Sequence, residues 1–255
     1  MARLARSILV TGSNRGIGLE FVRQLTETPD CPEHLFATCR NPDGPRGKAL
    51  RDLADKHPNI HVVQLEVENQ ASVKAALGTV ESYLEGKGLN LLINNAGVDT
   101  FDTLQTVEQQ EMLSTFNINV VGPILVVKEF LPLLKRAAKG AETEGMSCGK
   151  AAIINISSKL GSIGEGFEEV QDLFYAYRAS KAALNMVTAC LARELKVDEI
   201  LCTAIHPGWV KTDMGTEKAP LTVESSAQGI LKVLAGLSAS SSGTLVDWEG
   251  RRLLW

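Results

Sequence analysis

The decisive stretch of this sequence covers residues 7–18: Ser7-Ile8-Leu9-Val10-Thr11-Gly12-Ser13-Asn14-Arg15-Gly16-Ile17-Gly18. Its first four residues form an apolar run typical of a buried strand, and apolar residues recur at helical spacing after the three glycines. Glycines in such a turn let the chain close tightly and let backbone amides approach a phosphate at the helix N-terminus. The stretch therefore predicts strand, phosphate-binding turn and helix. Because the spacing is Gly-x3-Gly-x-Gly and not the general Gly-x-Gly-x-x-Gly, the alternative is a glycine-rich loop without a ligand.

A second apolar run, His34–Arg40, follows where a βαβ unit needs its next strand. The end of that strand selects the cofactor, since an acidic residue there binds the ribose hydroxyls of NAD and an arginine accommodates the 2′-phosphate of NADP. The chain offers Arg40 with no acid before Asp43, and Arg15 in the glycine turn is a second cation. Unless both are solvated surface charges, two arginines without a competing carboxylate favour NADPH.

Tyr177 and Lys181 are four residues apart in a helix-like run, so both side chains project from the same helix face. A lysine ammonium beside a phenol favours the phenolate, and we expect it to lower the tyrosine pKa from about 10 towards neutrality. The pair could then exchange protons with a substrate oxygen. The alternatives are a buried structural tyrosine and a solvated lysine. Tyr175 has no lysine at the corresponding position.

The remaining chain predicts a single-domain α/β fold, because strand-like and helix-like apolar runs alternate along it. Such alternation is typical of a Rossmann-type, doubly wound parallel β-sheet with helices on both faces. We expect one domain over residues 1–255, with a cofactor-binding half at about 1–150 and a catalytic and substrate-binding half at about 151–255. The runs are Ile60–Val67, Ala71–Leu84, Leu89–Asn94, Met112–Leu134, Ala151–Ser157, Tyr177–Leu195, Ile200–Ile205, Ser225–Leu237 and Gly243–Trp248.

Composition indicates which partners and compartment to expect. The formal net charge of −4 argues against a nucleic acid or an anionic membrane as partner. We find neither an N-terminal signal segment nor an apolar run that we expect to span a membrane. The five cysteines are scattered without Cys-x-x-Cys spacing, which is typical of reduced cytosolic thiols, and no cluster has metal-ligand spacing. The sequence predicts a soluble, cytoplasmic, metal-free protein.

Over nearly its whole length the chain resembles the short-chain dehydrogenase/reductase family. The glycine turn at 11–18 and the Tyr-x3-Lys pair match the family pattern, and four further motifs occur in the right order. These are Asn94-Asn95-Ala96-Gly97, Asn119-Val120-Val121-Gly122, the serine strand Ile153–Ser158, and Pro207-Gly208 followed by Thr212. The sequence of the segment His206–Gly215 resembles the corresponding segment of the carbonyl reductases, especially the sniffer-type (C-factor-like) branch.

The resemblance implies four catalytic residues. Tyr177 would be the general acid, Lys181 would tune the Tyr177 pKa and hold the nicotinamide ribose, and Ser158 would hydrogen-bond the substrate oxygen. Neighbouring Ser157 would point to the other face of the strand. Asn119 would distort its helix and complete a proton path from Lys181, although a surface asparagine remains its alternative.

The resemblance also implies a set of cofactor-binding residues, in which Tyr177 and Lys181 take part. Glu66 departs from the family's usual aspartate, so its contact with adenine is open, and Val67 lines the same pocket. The other members are Gly12, Asn14, Arg15, Gly16, Ile17, Gly18, Arg40, Asn94, Ala96, Gly97, Pro207, Gly208, Val210 and Thr212.

Two segments are expected beside the substrate. The separation between Ser158 and Tyr177 exceeds the family's usual length, which indicates an insertion at residues 161–173. Residues 213–222 have the composition of a lid over the substrate. The insertion leaves the size of the substrate open.

Together these observations predict an NADPH-dependent carbonyl reductase that transfers a hydride to an aldehyde, ketone or quinone. The alternatives are an alcohol or steroid dehydrogenase of the same family, or a nucleotide-sensing scaffold without turnover. The expected partner is a small-molecule carbonyl compound. The resemblance favours a homodimer through the long helices, although some carbonyl reductases are monomers.

Overall fold

A central β-sheet of eight strands organises the part of the chain that the computed structural model describes, residues 3–141, 144–165 and 174–255. The strands are β1 Ser7–Thr11, β2 His34–Cys39, β3 Ile60–Gln64, β4 Leu91–Asn94, β5 Ala152–Ile156, β6 Leu201–His206, β7 Leu245–Asp247 and β8 Arg252–Leu253.

Seven α-helices connect these strands within the described ranges. They are α1 Gly16–Glu27, α2 Lys48–Ala54, α3 Gln70–Leu84, α4 Gln109–Phe116, α5 Gly122–Gly140, α6 Tyr175–Glu194 and α7 Val223–Gly236. A five-residue π-helical turn, Asn117–Val121, joins α4 to α5 without a break.

The strand order places the site. It runs β3-β2-β1-β4-β5-β6-β7-β8, with β1 to β7 parallel and β8 antiparallel at the edge. Because β1 pairs with both β2 and β4, the direction of the chain across the sheet reverses between β1 and β4. In open α/β sheets, ligands bind in the crevice outside the carboxyl ends of the strands at such a reversal.

Side chains that alternate along the strands fill a separate core on each face of the sheet. In β1, Ile8 and Val10 pack with α1 and α7, whereas Leu9 packs with α3 and α5. All three are fully buried. Burial on both faces explains why the strands appear in the sequence as continuous apolar runs.

The predicted fold class is confirmed, with three differences. The run Met112–Leu134 forms two helices joined by the π turn, and neither the short helix α2 nor the antiparallel strand β8 was predicted. Two residues of strand carry too little periodicity to be recognised. The predicted insertion at 161–173 lies outside the described residues from 166 onwards.

The expectation that no apolar run could span a membrane was wrong by length and hydropathy. The continuous helical segment Gln109–Gly140 reaches a mean hydropathy of 1.4 over its most apolar window. Half of that window is buried inside the protein, where Val126, Phe130 and Leu134 of α5 are core residues. The segment is therefore packed as a core helix of this fold.

Candidate active site

The glycine turn after β1 is held against the end of β4. The Thr11 hydroxyl oxygen accepts hydrogen bonds from the backbone amides of Asn95 and Ala96, each 3.0 Å long. Gly12 has φ +68°, and a Cβ at Gly12 would lie 2.9 Å from the Ala96 Cα. Only glycine therefore fits where the turn passes β4.

A cavity of about 730 Å³ opens at the carboxyl ends of the strands. Most of the predicted cofactor-binding residues line it, which brings together parts of the chain from the glycine turn to the segment after β6. These are Gly12, Asn14, Arg15, Gly16, Ile17, Arg40, Glu66, Val67, Ala96, Gly97, Tyr177, Lys181, Pro207 and Thr212.

Four predicted cofactor-binding residues do not line the cavity. Asn94 is buried, and its Nδ2 donates a 2.9 Å hydrogen bond to the Asn155 Oδ1 instead. A Cβ at Gly18 would lie 2.3 Å from the Gly12 carbonyl oxygen, so this glycine permits close packing of the turn. Gly208, with φ +84°, makes the turn after β6, and Val210 is 4% exposed. In the structure these four residues contribute to packing and chain geometry, and their contact with the cofactor stays a prediction.

Three arginines line the end of the cavity near β2: Arg15, Arg40 and Arg46. The prediction that no carboxylate competes for Arg15 and Arg40 was wrong. The Arg15 Nη1 lies 2.8 Å from the Asp213 Oδ2, and the Arg40 Nη1 lies 4.0 Å from the Glu66 Oε1. Both pairs are solvent-exposed, and such pairs contribute only about 0–1 kcal/mol, so a phosphate can displace either carboxylate.

The Tyr177 phenol lines the cavity and is hydrogen-bonded to the Ser158 side chain. Burial, together with the carboxylate of Asp99, raises the pKa of Tyr177 to about 12, and the Ser158 hydrogen bond opposes this rise. The expectation of a pKa lowered by Lys181 was therefore wrong, because burial outweighs the other effects. The phenol is protonated at neutral pH.

Lys181 lies one helical turn after Tyr177 in α6, with its Nζ 5.6 Å from the centre of the Tyr177 ring. Burial lowers the pKa of Lys181 to about 8, against the raising effect of Asp99. The lysine thus loses its proton before the tyrosine does, which explains why it contributes no charge at the pH where the phenol titrates.

Asn119 occupies the π turn between α4 and α5. Its Oδ1 accepts from the Val98 amide at 2.9 Å, and its Nδ2 donates to the Val98 carbonyl oxygen at 2.8 Å. The same Nδ2 lies 3.0 Å from the Ser180 Oγ of α6. The predicted distortion of the helix is present, and π turns of this kind are frequent at functional sites.

Sequence reasoning missed several residues of the site. Asn95, next to the predicted Asn94, lines the cavity and donates from its Nδ2 to the Thr11 carbonyl oxygen at 2.9 Å. Arg46 lies in a Pro-Gly-rich turn shortly after Arg40, and this position in the sequence could have indicated that it lies near the same end of the cavity. Asp99, which raises the pKa of both Tyr177 and Lys181, follows the Asn-Asn-Ala-Gly motif in a loop that carries no signal of its own.

The predicted lid at 213–222 is tied to the strand end before it. The Lys211 amide donates to the Leu221 carbonyl oxygen at 2.8 Å, and the Trp209 indole donates to that of Gly215 at 2.6 Å. Met214 lines the cavity. The segment thus forms one wall of the site, and the Arg15–Asp213 pair joins it to the glycine turn.

Comparisons with known proteins agree with this geometry. The closely similar solved structures include an NADPH-bound carbonyl reductase from chicken fatty liver, 48% identical, with a TM-score of 0.94 and coverage of 98% of this chain and 99% of that one. The carbonyl reductase Sniffer of D. melanogaster is 43% identical, with a TM-score of 0.94 and coverage of 98% and 100%. An uncharacterised oxidoreductase of Schizosaccharomyces pombe is 30% identical, over 98% of both chains.

The family model for short chain dehydrogenases matches residues 6–221. This match begins just before β1 and ends at Leu221, the lid residue whose carbonyl oxygen accepts the hydrogen bond from Lys211. It covers every catalytic residue that the sequence predicts, together with the glycine turn. The chain therefore belongs to the short-chain dehydrogenase family.

Proposed function

We propose that this protein is an NADPH-dependent carbonyl reductase that reduces an aldehyde, ketone or quinone, with Tyr177 as the general acid. The observation that carries the proposal is the Tyr177 phenol, hydrogen-bonded to Ser158 at a dinucleotide-sized cavity. The chicken and Drosophila structures, both named carbonyl reductases, support it, and the chicken structure contains NADPH.

The residues present fit a dinucleotide. Gly12 and Gly16 adopt positive φ values at the N-terminus of α1, and the space that a Cβ would fill at Gly12 is taken by Ala96. A helix N-terminus that follows such a turn is suited to a pyrophosphate. Arg15, Arg40 and Arg46 would hold the 2′-phosphate, since guanidinium groups match phosphate geometry. When bound, NADPH supplies the hydride.

In this proposal Ser158 and Tyr177 hold the carbonyl oxygen of the substrate, and Tyr177 donates its proton to that oxygen. Lys181, cationic below a pH of about 8, stabilises the phenolate that remains. A phenol with a pKa of about 12 is protonated at neutral pH, as the general acid of a reduction must be.

The test measures NADPH oxidation against a panel of aldehydes, ketones and quinones, with Tyr177→Phe beside the unchanged protein. Tyr175→Phe is the matched control, because Tyr175 begins the same helix and is not among the residues lining the cavity. We expect a loss of at least about a hundredfold in kcat for Tyr177→Phe, with NADPH binding retained, and near-normal kcat for Tyr175→Phe. NADPH binding without turnover of any carbonyl would instead indicate a nucleotide-sensing scaffold.

The proposal includes a cytoplasmic homodimer. The helices α4 and α6 pack together and, with α5 and the π turn before it, leave large apolar side chains at the surface: Leu113, Val121, Ile124 and Met186. A face of this kind on a soluble enzyme favours pairing with a second copy. Light scattering on the purified protein tests it, and a mass of one chain at micromolar concentration would exclude the dimer.

A further inference from the structure

The start of α6, the helix that carries Tyr177, has no side-chain cap of its own. The residue before the helix, Phe174, has φ 42°, a left-handed conformation that is unusual for a bulky side chain, and it makes no side-chain capping hydrogen bond. The first amides of a helix need partners from outside the helical ladder. The position of Tyr177, in the first turn, depends on what supplies them.

Asp102 supplies one such partner from a distant loop. Its Oδ2 accepts a hydrogen bond of 3.0 Å from the backbone amide of Ala176, the residue directly before Tyr177. The Asp102 side chain is 3% exposed, so the contact is shielded from water. A carboxylate at this end of a helix also gains from the helix dipole. This acid therefore performs the task of an N-cap residue, although it lies 74 residues earlier in the sequence.

The Asp102 carboxylate is itself oriented. The Thr100 hydroxyl donates to the same Oδ2 at 3.2 Å, and Thr100 is also buried. At the other end of this loop, Val98 is fixed by the two hydrogen bonds with Asn119. The ring of Phe101 meets that of Phe174 edge-on, with centroids 5.4 Å apart. The loop thus holds the beginning of α6 by a ring contact and a buried hydrogen bond.

We propose that Asp102 is a positioning residue for the reaction: its carboxylate caps the first turn of α6 from outside the helix and so fixes the aim of the Tyr177 phenol. Asp102 acts through Tyr177, and the inference rests on the proposed general-acid role of that tyrosine. Loss of the cap does not remove the Tyr177 phenol, but it lets the first turn of α6 fray. A small displacement of a reacting group lowers the reaction rate strongly.

The experiment combines hydrogen exchange with kinetics on Asp102→Ala and Asp102→Asn. For Asp102→Ala we expect exchange at least about fivefold faster in peptides covering 174–181 and a kcat lowered at least about fivefold, with the KM for NADPH within about twofold. Asp102→Asn keeps an oxygen acceptor, so both quantities should return to within about threefold. The control is Glu111→Ala, an exposed acid of α4, which should change neither.

A double substitution separates positioning from general destabilisation. In a Tyr177→Phe background, Asp102→Ala should cause no further loss of the residual rate, because the group that it positions is gone. Thr100→Val, which keeps Asp102 but removes its orienting hydroxyl, should lower kcat about two- to threefold and should also be silent in that background. It gives a second measure if Asp102→Ala fails to fold.

Three outcomes would overturn the inference: unchanged exchange in 174–181 for both Asp102→Ala and Thr100→Val, faster exchange in Asp102→Ala with an unchanged kcat, or an equal loss of rate with and without Tyr177. Failure of the proposed function is distinguishable. In that case either the unchanged protein would turn over no carbonyl or Tyr177→Phe would keep the turnover, while the exchange measurement would still report whether Asp102 caps the helix.

Discussion

The Lys181 Nζ donates a hydrogen bond of 2.9 Å to the carbonyl oxygen of Ile156, the last residue of β5. This bond fixes the ammonium group between the end of the sheet and the Tyr177 ring. A buried lysine held in this way is uncharged more readily than a solvated one, because burial disfavours its charged form. The charge state of Lys181 thus becomes sensitive to pH in the range where enzymes are assayed.

The first prediction is a falling alkaline limb in the pH profile of reduction. The kcat/KM value should be level below about pH 7 and should fall as pH rises through the Lys181 pKa of about 8, because the neutral amine no longer stabilises the phenolate. The phenol itself, with a pKa of about 12, stays protonated over this range. Initial rates from pH 6 to 10 check it, and a Lys181→Met variant should be slow without this limb. A flat profile to pH 10 would contradict the prediction.

Asp99→Asn should move that limb to lower pH. The Asp99 carboxylate raises the pKa of Lys181, so its removal lets the lysine lose its proton at a lower pH. The same change should lower the pKa of Tyr177. The measurement is the pH profile of kcat/KM for the variant beside that of Glu111→Gln, an exposed acid that should leave the limb in place. A limb moved to higher pH would exclude an electrostatic role for Asp99.

Arg40→Asp should weaken binding of NADPH more than that of NADH. The change removes a guanidinium from the cavity end where three arginines lie and adds a repelling carboxylate. We expect a loss of at least about tenfold for NADPH and less than about threefold for NADH, measured by fluorescence titration. Arg252→Asp, on the edge strand β8, is the control for net charge. Equal losses for both cofactors would show that Arg40 does not bind the 2′-phosphate.

Glu66→Gln should strengthen NADPH binding. In the structure the Glu66 carboxylate lies 4.0 Å from the Arg40 guanidinium and competes with a phosphate for it. Because exposed pairs contribute about 0–1 kcal/mol, the gain should not exceed about fivefold. The affinity for NADH, measured in the same titration, should stay unchanged. Weaker binding of both cofactors would indicate that Glu66 contacts the cofactor directly.

Gly12→Ala should destabilise the protein and weaken NADPH binding. The backbone of Gly12 has φ +68°, and the new Cβ would lie 2.9 Å from the Ala96 Cα. We expect the free energy of unfolding to fall by at least about 1 kcal/mol. Gly78→Ala is the matched control, since Gly78 lies inside α3 with no atom within 4 Å of an added Cβ, and it should gain up to about 1 kcal/mol. Urea unfolding of both variants compares them, and equal stability would contradict the argument.

The sequence predicted those parts of the fold and site that are encoded locally. The strand–turn–helix at residues 7–18 and the Tyr177–Lys181 pair each need only one element, so spacing alone places them correctly. Asp99 and Asp102 lie in a loop whose contacts with α6 arise only when β4 and α6 are brought together. No periodicity marks them, and sequence reasoning passed over both.

The wrong predictions about charged and titratable groups also arise from contacts that form only in the folded chain. Asp213 and Glu66 approach Arg15 and Arg40 from elements far away in the sequence, so local inspection found no competing acid. The Tyr177 pKa was placed too low because the sequence shows the neighbouring lysine but not the burial of the phenol. Pairwise attraction can be inferred from spacing, whereas desolvation depends on the finished fold.

Because of the π turn at Asn117–Val121, the position of Asn119 depends on the number of residues in this helical segment. The Gly122 amide bonds to the Asn117 carbonyl oxygen, so the turn holds one residue more than an α-helix would. A chain shortened by one residue here would close the turn to a regular α-helix, and α4 and α5 would keep their directions because the wider turn had absorbed the extra residue. The loss would be confined to the turn, where the Asn119 side chain holds Val98. A one-residue deletion would thus exchange a better helix for a displaced Asn119.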